Sequence, residues 1–96
     1  MIRGYEVVYI LDPGLADDAI QEAAQRFQNM VETQGGTVEE VAQWGRRRLA
    51  YPIAHKNDGY YILMRVKAEP PVLTEINRVL RLDDQVLRHR VFREER

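Results

Sequence analysis

The chain has 96 residues, 45% of them hydrophobic and 30% charged, with a formal net charge of -1. This is the composition of one small soluble domain, residues 1–96, and not of a disordered segment. The absence of cysteine excludes a disulfide framework, a thiolate zinc site and a cysteine nucleophile, and no apolar run approaches the roughly 20 residues that span a bilayer.

The first residues lack the succession of charged, apolar and small segments that marks a secretory signal, so the cytoplasm is the expected compartment. Charge is unevenly distributed. Residues 1–42 carry two basic side chains, Arg3 and Arg26, against eight acidic ones. Residues 43–67 carry six, Arg46, Arg47, Arg48, Lys56, Arg65 and Lys67, against Asp58 alone. Arg88, Arg90 and Arg93 cluster again near the end. A nearly neutral chain can therefore present a basic face, and such a face is what meets a polyanion.

"GYEVVYIL", Gly4 to Leu11, is rich in Val, Ile and Tyr and predicts a strand, with Tyr5, Val7, Tyr9 and Leu11 on one face. The turn residues Asp12 to Gly14 end it. Ala16, Ile20, Ala23, Ala24, Phe27, Met30 and Val31 then recur at helical spacing. Asp17 or Asp18 suits the first turn, and Gly35-Gly36 supplies a left-handed end.

Between Thr37 and Ala54 the apolar residues Val38, Val41, Trp44, Leu49, Tyr51 and Ile53 do not keep one parity. A long strand with a bulge near Trp44-Gly45 accounts for the change of phase, since one extra residue turns every later side chain to the other face. Leu49, Tyr51 and Ile53 then share a face with Arg47, while Arg46 and Arg48 point the other way. Pro52 cannot donate to a ladder and predicts a sheet edge. His55 to Gly59 reads as a hairpin loop, and Tyr60 to Ala68 as the third strand. Pro70-Pro71 opens a second helix with Val72, Leu73, Ile76, Val79 and Leu80 as its buried stripe. Gln85 to Phe92 forms the last strand, with Arg88, Arg90 and Phe92 opposite His89 and Val91, and Arg93 to Arg96 is a short charged tail.

Strand, helix, strand, strand, helix, strand is the order of an α+β, ferredoxin-like βαββαβ fold, a four-stranded antiparallel sheet with both helices on one face. The other face would stay open, carrying Glu6, Val8, Ile10, Tyr61, Leu63, Arg65, Lys67, Arg88, Arg90 and Phe92. A half-apolar, half-basic surface of this kind predicts a partner.

Little in the chain supports catalysis. His55 and His89 lie far apart without metal-ligand spacing, there is no serine, and Thr33, Thr37 and Thr74 are not flanked by a base. No glycine-rich loop opens a helix, and "DPGLADD" is acidic where an acylphosphatase-like enzyme would cradle an anion. The expectation is no enzyme, no metal and no cofactor. Recognition remains: arginine forks onto phosphate and stacks on bases, and aromatic side chains stack unpaired bases. The element order is that of the common RNA recognition motif, but the signature run of that motif is missing, which favours backbone or shape recognition.

"RRLAYPI" (Arg47 to Ile53), with "YEVVYIL-DP" at the start, "GYYILMRV" after the hairpin and "LRLDDQVLRHRVF" at the end, resembles the bacterial small-ribosomal-subunit protein six family over essentially the whole length. The resemblance implies a ferredoxin-like structural component of the small (30S) ribosomal subunit. It would bind the central domain of 16S ribosomal RNA as a heterodimer with small-subunit protein eighteen, without catalysis or cofactor, and be a monomer when isolated. On this reading Arg3, Arg46, Arg48, Lys56, Arg88 and Arg90 include the RNA contacts, and Trp44, Arg47, Leu49, Tyr51 and Ile53 meet the partner protein. The competing expectation is a ferredoxin-like regulatory or interaction domain that pairs with itself.

Overall fold

The computed structural model describes residues 1–94. Its elements are β1 (Arg3–Leu11), α1 (Asp17–Thr33), β2 (Thr37–Ile53), β3 (Lys56–Ala68), α2 (Pro70–Leu82) and β4 (Val86–Arg93). The strands form one antiparallel sheet in the order β2-β3-β1-β4, which is the ferredoxin-like arrangement expected from the element order. Both edges follow from the chain: Pro52 sits on the outer strand β2, and the charged β4 closes the opposite side.

The alternation of β1 and β3 decides which face the helices cover. Val7, Tyr9 and Leu11 of β1 and Ile62, Met64 and Val66 of β3 are buried against Ile20, Ala23, Phe27 and Val31 of α1 and Leu73, Ile76 and Leu80 of α2. Burying a large aliphatic or aromatic side chain contributes roughly 1.5–3 kcal/mol. An exposed ion pair such as Arg26–Asp83, 2.6 Å long, adds at most about 1 kcal/mol. The stripe holds the helices on; the ion pair trims the α2–β4 turn.

Helix ends follow their residues. Asp18 accepts from the amide of Ala19 in the first turn of α1. The other end closes with the amide of Gly36 donating to Val31 and that of Gly35 to Glu32, with Gly35 at φ 92°. Pro70 stands at the start of α2, where no helical amide is needed.

Three features of β2 depart from a regular strand. Trp44 is the extra residue at the expected bulge, since Gln43 pairs with Ile62 and Gly45 with Tyr61. Gly45 takes φ 85°, which a side chain would oppose. A second irregularity leaves Glu39 unpaired between Val38–Val66 and Glu40–Arg65, and a third sets Leu49 to Pro52 against Asn57 alone. The ladder resumes at Ile53–Lys56, so Ile53 takes a register position on the face of Asp58 and Tyr60. The expectation that Ile53 shares a face with Leu49 and Tyr51 is corrected by this third irregularity.

The expected loop from His55 to Gly59 is also corrected. Lys56 to Gly59 belong to β3, and the turn is Ala54-His55 alone, with φ 50° and 65°. Two left-handed residues match the right-handed twist of a two-residue hairpin. Neither is Gly or Asn, so turn composition gave no signal. Of the expected charged tail, Arg93 ends β4 and the amide of Glu94 donates to Gly4, while residues 95 and 96 lie outside the described part.

Candidate functional site

The sheet face away from the helices carries side chains from all four strands. β1 contributes Glu6, Val8 and Ile10; β3 contributes Tyr61, Leu63, Arg65 and Lys67; β4 contributes Arg88, Arg90 and Phe92. The register sets Val8 beside Arg90, Ile10 beside Arg88 and Glu6 beside Phe92. Because Trp44 is bulged, its indole reaches the same face and stacks on Tyr61, with ring centres 6.5 Å apart and planes at 21°. Arg47 pairs with Gly59 and belongs to this face as well.

This face is not uniformly basic. Arg65 lies 3.0 Å from Glu6, 3.5 Å from Glu40 and 4.0 Å from Glu94, and Lys67 lies 3.8 Å from Glu94. One end is thus neutralised by its own carboxylates, which tie together β1, β2, β3 and the residue after β4. At the other end no carboxylate of the described residues stands within ion-pair distance of Arg47, Arg88 or Arg90. There a shallow depression of about 200 Å³, lined by Val8, Ile10, Tyr61, Arg88, Arg90 and Phe92, sits among exposed guanidinium groups. Trp44, Tyr51 and Phe92 are 44, 54 and 49% exposed around it. Uncompensated arginines beside exposed rings can fork onto phosphates and stack on bases or on a protein partner.

The face is less open than alternation implies. The end of the β2–β3 hairpin folds back over it, burying Leu49 and Ile10 to 8% exposure each. Gly59 permits this: a Cβ there would collide with Ile10 Cγ2 and stand 3.4 Å from Leu49. Leu49, expected to meet a partner, packs within its own hairpin instead, because the four-against-one stretch of β2 curls inward. Tyr51 crosses to the far edge, where Arg88 donates a hydrogen bond to its hydroxyl. The guanidinium carbon of Arg88 is 5.2 Å from the Tyr51 ring centre.

The six expected RNA contacts do not form one patch. Arg88 and Arg90 lie on the uncovered face. Arg46 and Arg48, both exposed, pair with Tyr60 and Asp58 and so belong to the opposite face of the hairpin. Arg46 donates to the Pro13 carbonyl, 2.9 Å from Nη2, and Lys56 stands 3.6 Å from Asp12, so these two cations brace the β1–α1 loop. Arg3 pairs with Ala68 at the other end of β1, beside Lys67, Arg93 and Glu94. Tyr61 and Phe92 are central to the uncovered face but absent from the expected contacts; the alternation of β3 and β4 already carried that signal.

His89 faces the helix side, its Nε2 3.1 Å from Asn77 Oδ1 of α2. Burial, and then the Arg81 guanidinium, hold its imidazole below the ordinary pKa. Among the described residues no cluster of three or more His, Asp or Glu side chains could hold a metal ion, and no helix is long and apolar enough to cross a membrane.

Comparison with known proteins agrees with this architecture. The family model described as "Ribosomal protein S6" matches residues 4–93. The chain is 44% identical over 95 residues to "Small ribosomal subunit protein bS6" of Clostridium novyi, covering 99% of this chain and 100% of that protein. It is 43% identical over 96 residues to the protein of the same name from Carboxydothermus hydrogenoformans, covering 100% of both. The crystal structure of 30S ribosomal protein S6 from Thermotoga maritima superimposes with a TM-score of 0.93 at 24% identity, covering 98% of this chain and 89% of that one, and shares its fold. A family model that runs almost end to end, with full-length relatives above two-fifths identity, means that the chain belongs to the ribosomal protein S6 family of the small ribosomal subunit.

Proposed function

We propose that the chain binds the central domain of 16S ribosomal RNA as a structural protein of the small subunit, and does so as a heterodimer with small-subunit protein eighteen. The family is one of ribosomal components and not of enzymes, and the place of action is the ribosome in the cytoplasm. The observation that carries the reading is the cationic, aromatic end of the uncovered face. Arg47, Arg88 and Arg90, without carboxylates from the described residues, surround Trp44, Tyr51, Tyr61 and Phe92.

On this reading Trp44, Arg47 and Tyr51 meet the partner protein, and Ile53 lies at the margin of that contact. Arg88 and Arg90 reach phosphates beside the depression, while Arg48, with Arg46 and Lys56 at the loop, approaches RNA from the hairpin's other side. Arg3 would touch RNA at the remote end of β1. A modest number of phosphate contacts fits the net charge of -1, and few contacts mean weak RNA binding until the partner joins.

Footprinting of central-domain RNA fragments with this protein, with protein eighteen, and with both tests the proposal. Protection that requires both proteins is expected. Protection by protein eighteen alone, unchanged when this chain is added, overturns it. Light scattering on the isolated chain should give a monomer; a tight homodimer favours the self-pairing alternative.

A further inference from the structure

Strands β2 and β4 occupy opposite edges of the sheet, with β3 and β1 between them. They nevertheless touch, because the hairpin end folds back and delivers Tyr51 to Arg88 by one hydrogen bond and one cation–π contact. The irregular stretch Leu49 to Pro52 makes the fold-back possible, and the Gly59–Ile10 approach seats it.

We infer that the Tyr51–Arg88 contact couples the protein-binding and RNA-binding surfaces of this chain, Tyr51 acting as the positioning residue for Arg88. The inference rests on the RNA-binding reading above. Tyr51 is 54% exposed and its ring belongs to the surface offered to a protein partner. Arg88 is exposed and belongs to the surface offered to RNA. A partner that covers the Tyr51 ring fixes the hairpin end, and with it the direction of the guanidinium. A phosphate that accepts two hydrogen bonds from Arg88 competes with the phenol oxygen and changes how the hairpin end is held. Each event alters the free energy of the other, and the coupling is reciprocal by linkage. An exposed contact of this type is weak enough for either partner to shift.

Amide hydrogen exchange on the full chain alone reads the contact directly. Tyr51→Ala and Arg88→Ala should each speed exchange across residues 54–59 by roughly three- to fivefold, and the double variant no further. Tyr51→Phe, which keeps the ring, should give a smaller effect. Unaltered exchange in both alanine variants overturns the inference.

The second measurement is the factor by which protein eighteen tightens binding of a central-domain RNA fragment. Tyr51→Ala should reduce that factor, as should Arg88→Ala. If Arg88→Ala weakens RNA binding while Tyr51→Ala leaves the factor unchanged, the coupling is overturned and the RNA-binding reading stands. A wild-type chain that binds no RNA even with protein eighteen overturns both.

Discussion

Tyr9 shows how a single residue can fit a fold without satisfying all its chemistry. Its ring is fully buried and meets Phe27 edge to face, with centres 5.1 Å apart. Its hydroxyl has no hydrogen-bond partner among the described residues, and burial pushes the phenol far above its ordinary pKa. An unpaired buried hydroxyl costs free energy that the ring's packing offsets. Tyr9→Phe should therefore raise stability by about 1 kcal/mol in urea unfolding, and a loss of stability would mean that the hydroxyl is satisfied in solution. His89 acts on stability through protons. With its folded pKa below the ordinary 6.5, the unfolded chain takes up the proton first. Its contribution is complete above that value, declines as pH falls through it, and levels off once the folded state is protonated too. Urea midpoints between pH 7.5 and 5 should fall for the wild type and fall less for His89→Gln.

At the level of elements, the β2–β3 hairpin is the unusual part. Its turn places Ala54 and His55 in the left-handed region, where most side chains are strained. Asn-Gly is the sequence that such a turn favours. Replacing Ala54→Asn and His55→Gly together should stabilise the domain by about 1 kcal/mol, read as a higher urea midpoint at unchanged slope. Gly59 tests the fold-back. A methyl group there must displace Ile10 or lift the hairpin, so Gly59→Ala should cost about 2 kcal/mol, in the range of overpacked cores. It should also expose Leu49. A neutral result would show that the hairpin end stands free of the sheet in solution.

Across the whole molecule, charge is arranged by compensation. Glu6, Glu40 and Glu94 neutralise Arg65 and Lys67 at one end of the uncovered face, while at the other no carboxylate of the described residues pairs with Arg88 or Arg90. The net charge of the chain conceals this division. Arg46→Ala with Arg48→Ala should leave the domain folded, because exposed charges contribute little to stability. The same pair should weaken the complex with RNA and protein eighteen about tenfold and lower its salt slope by roughly 1–2, as two phosphate contacts would. Unchanged affinity and slope would clear both arginines of RNA contact and leave Arg46 only its bond to Pro13.

Side-chain periodicity, with turn and proline chemistry, determined the element order, the helix stripes, the inner faces of β1 and β3, the Trp44 bulge and the edge position of Pro52. Each is a local consequence of side-chain spacing, of backbone donors or of one inserted residue. The Ala54-His55 turn was hidden because neither residue advertises a left-handed conformation. The curl that buries Leu49 and carries Tyr51 to Arg88 was hidden for a different reason. It depends on an irregular register and on the missing Cβ of Gly59, and alternation along one strand cannot report contact between strands separated by two others. Which arginines are neutralised was likewise decided only in three dimensions, since the carboxylates that face Arg65 come from other parts of the chain.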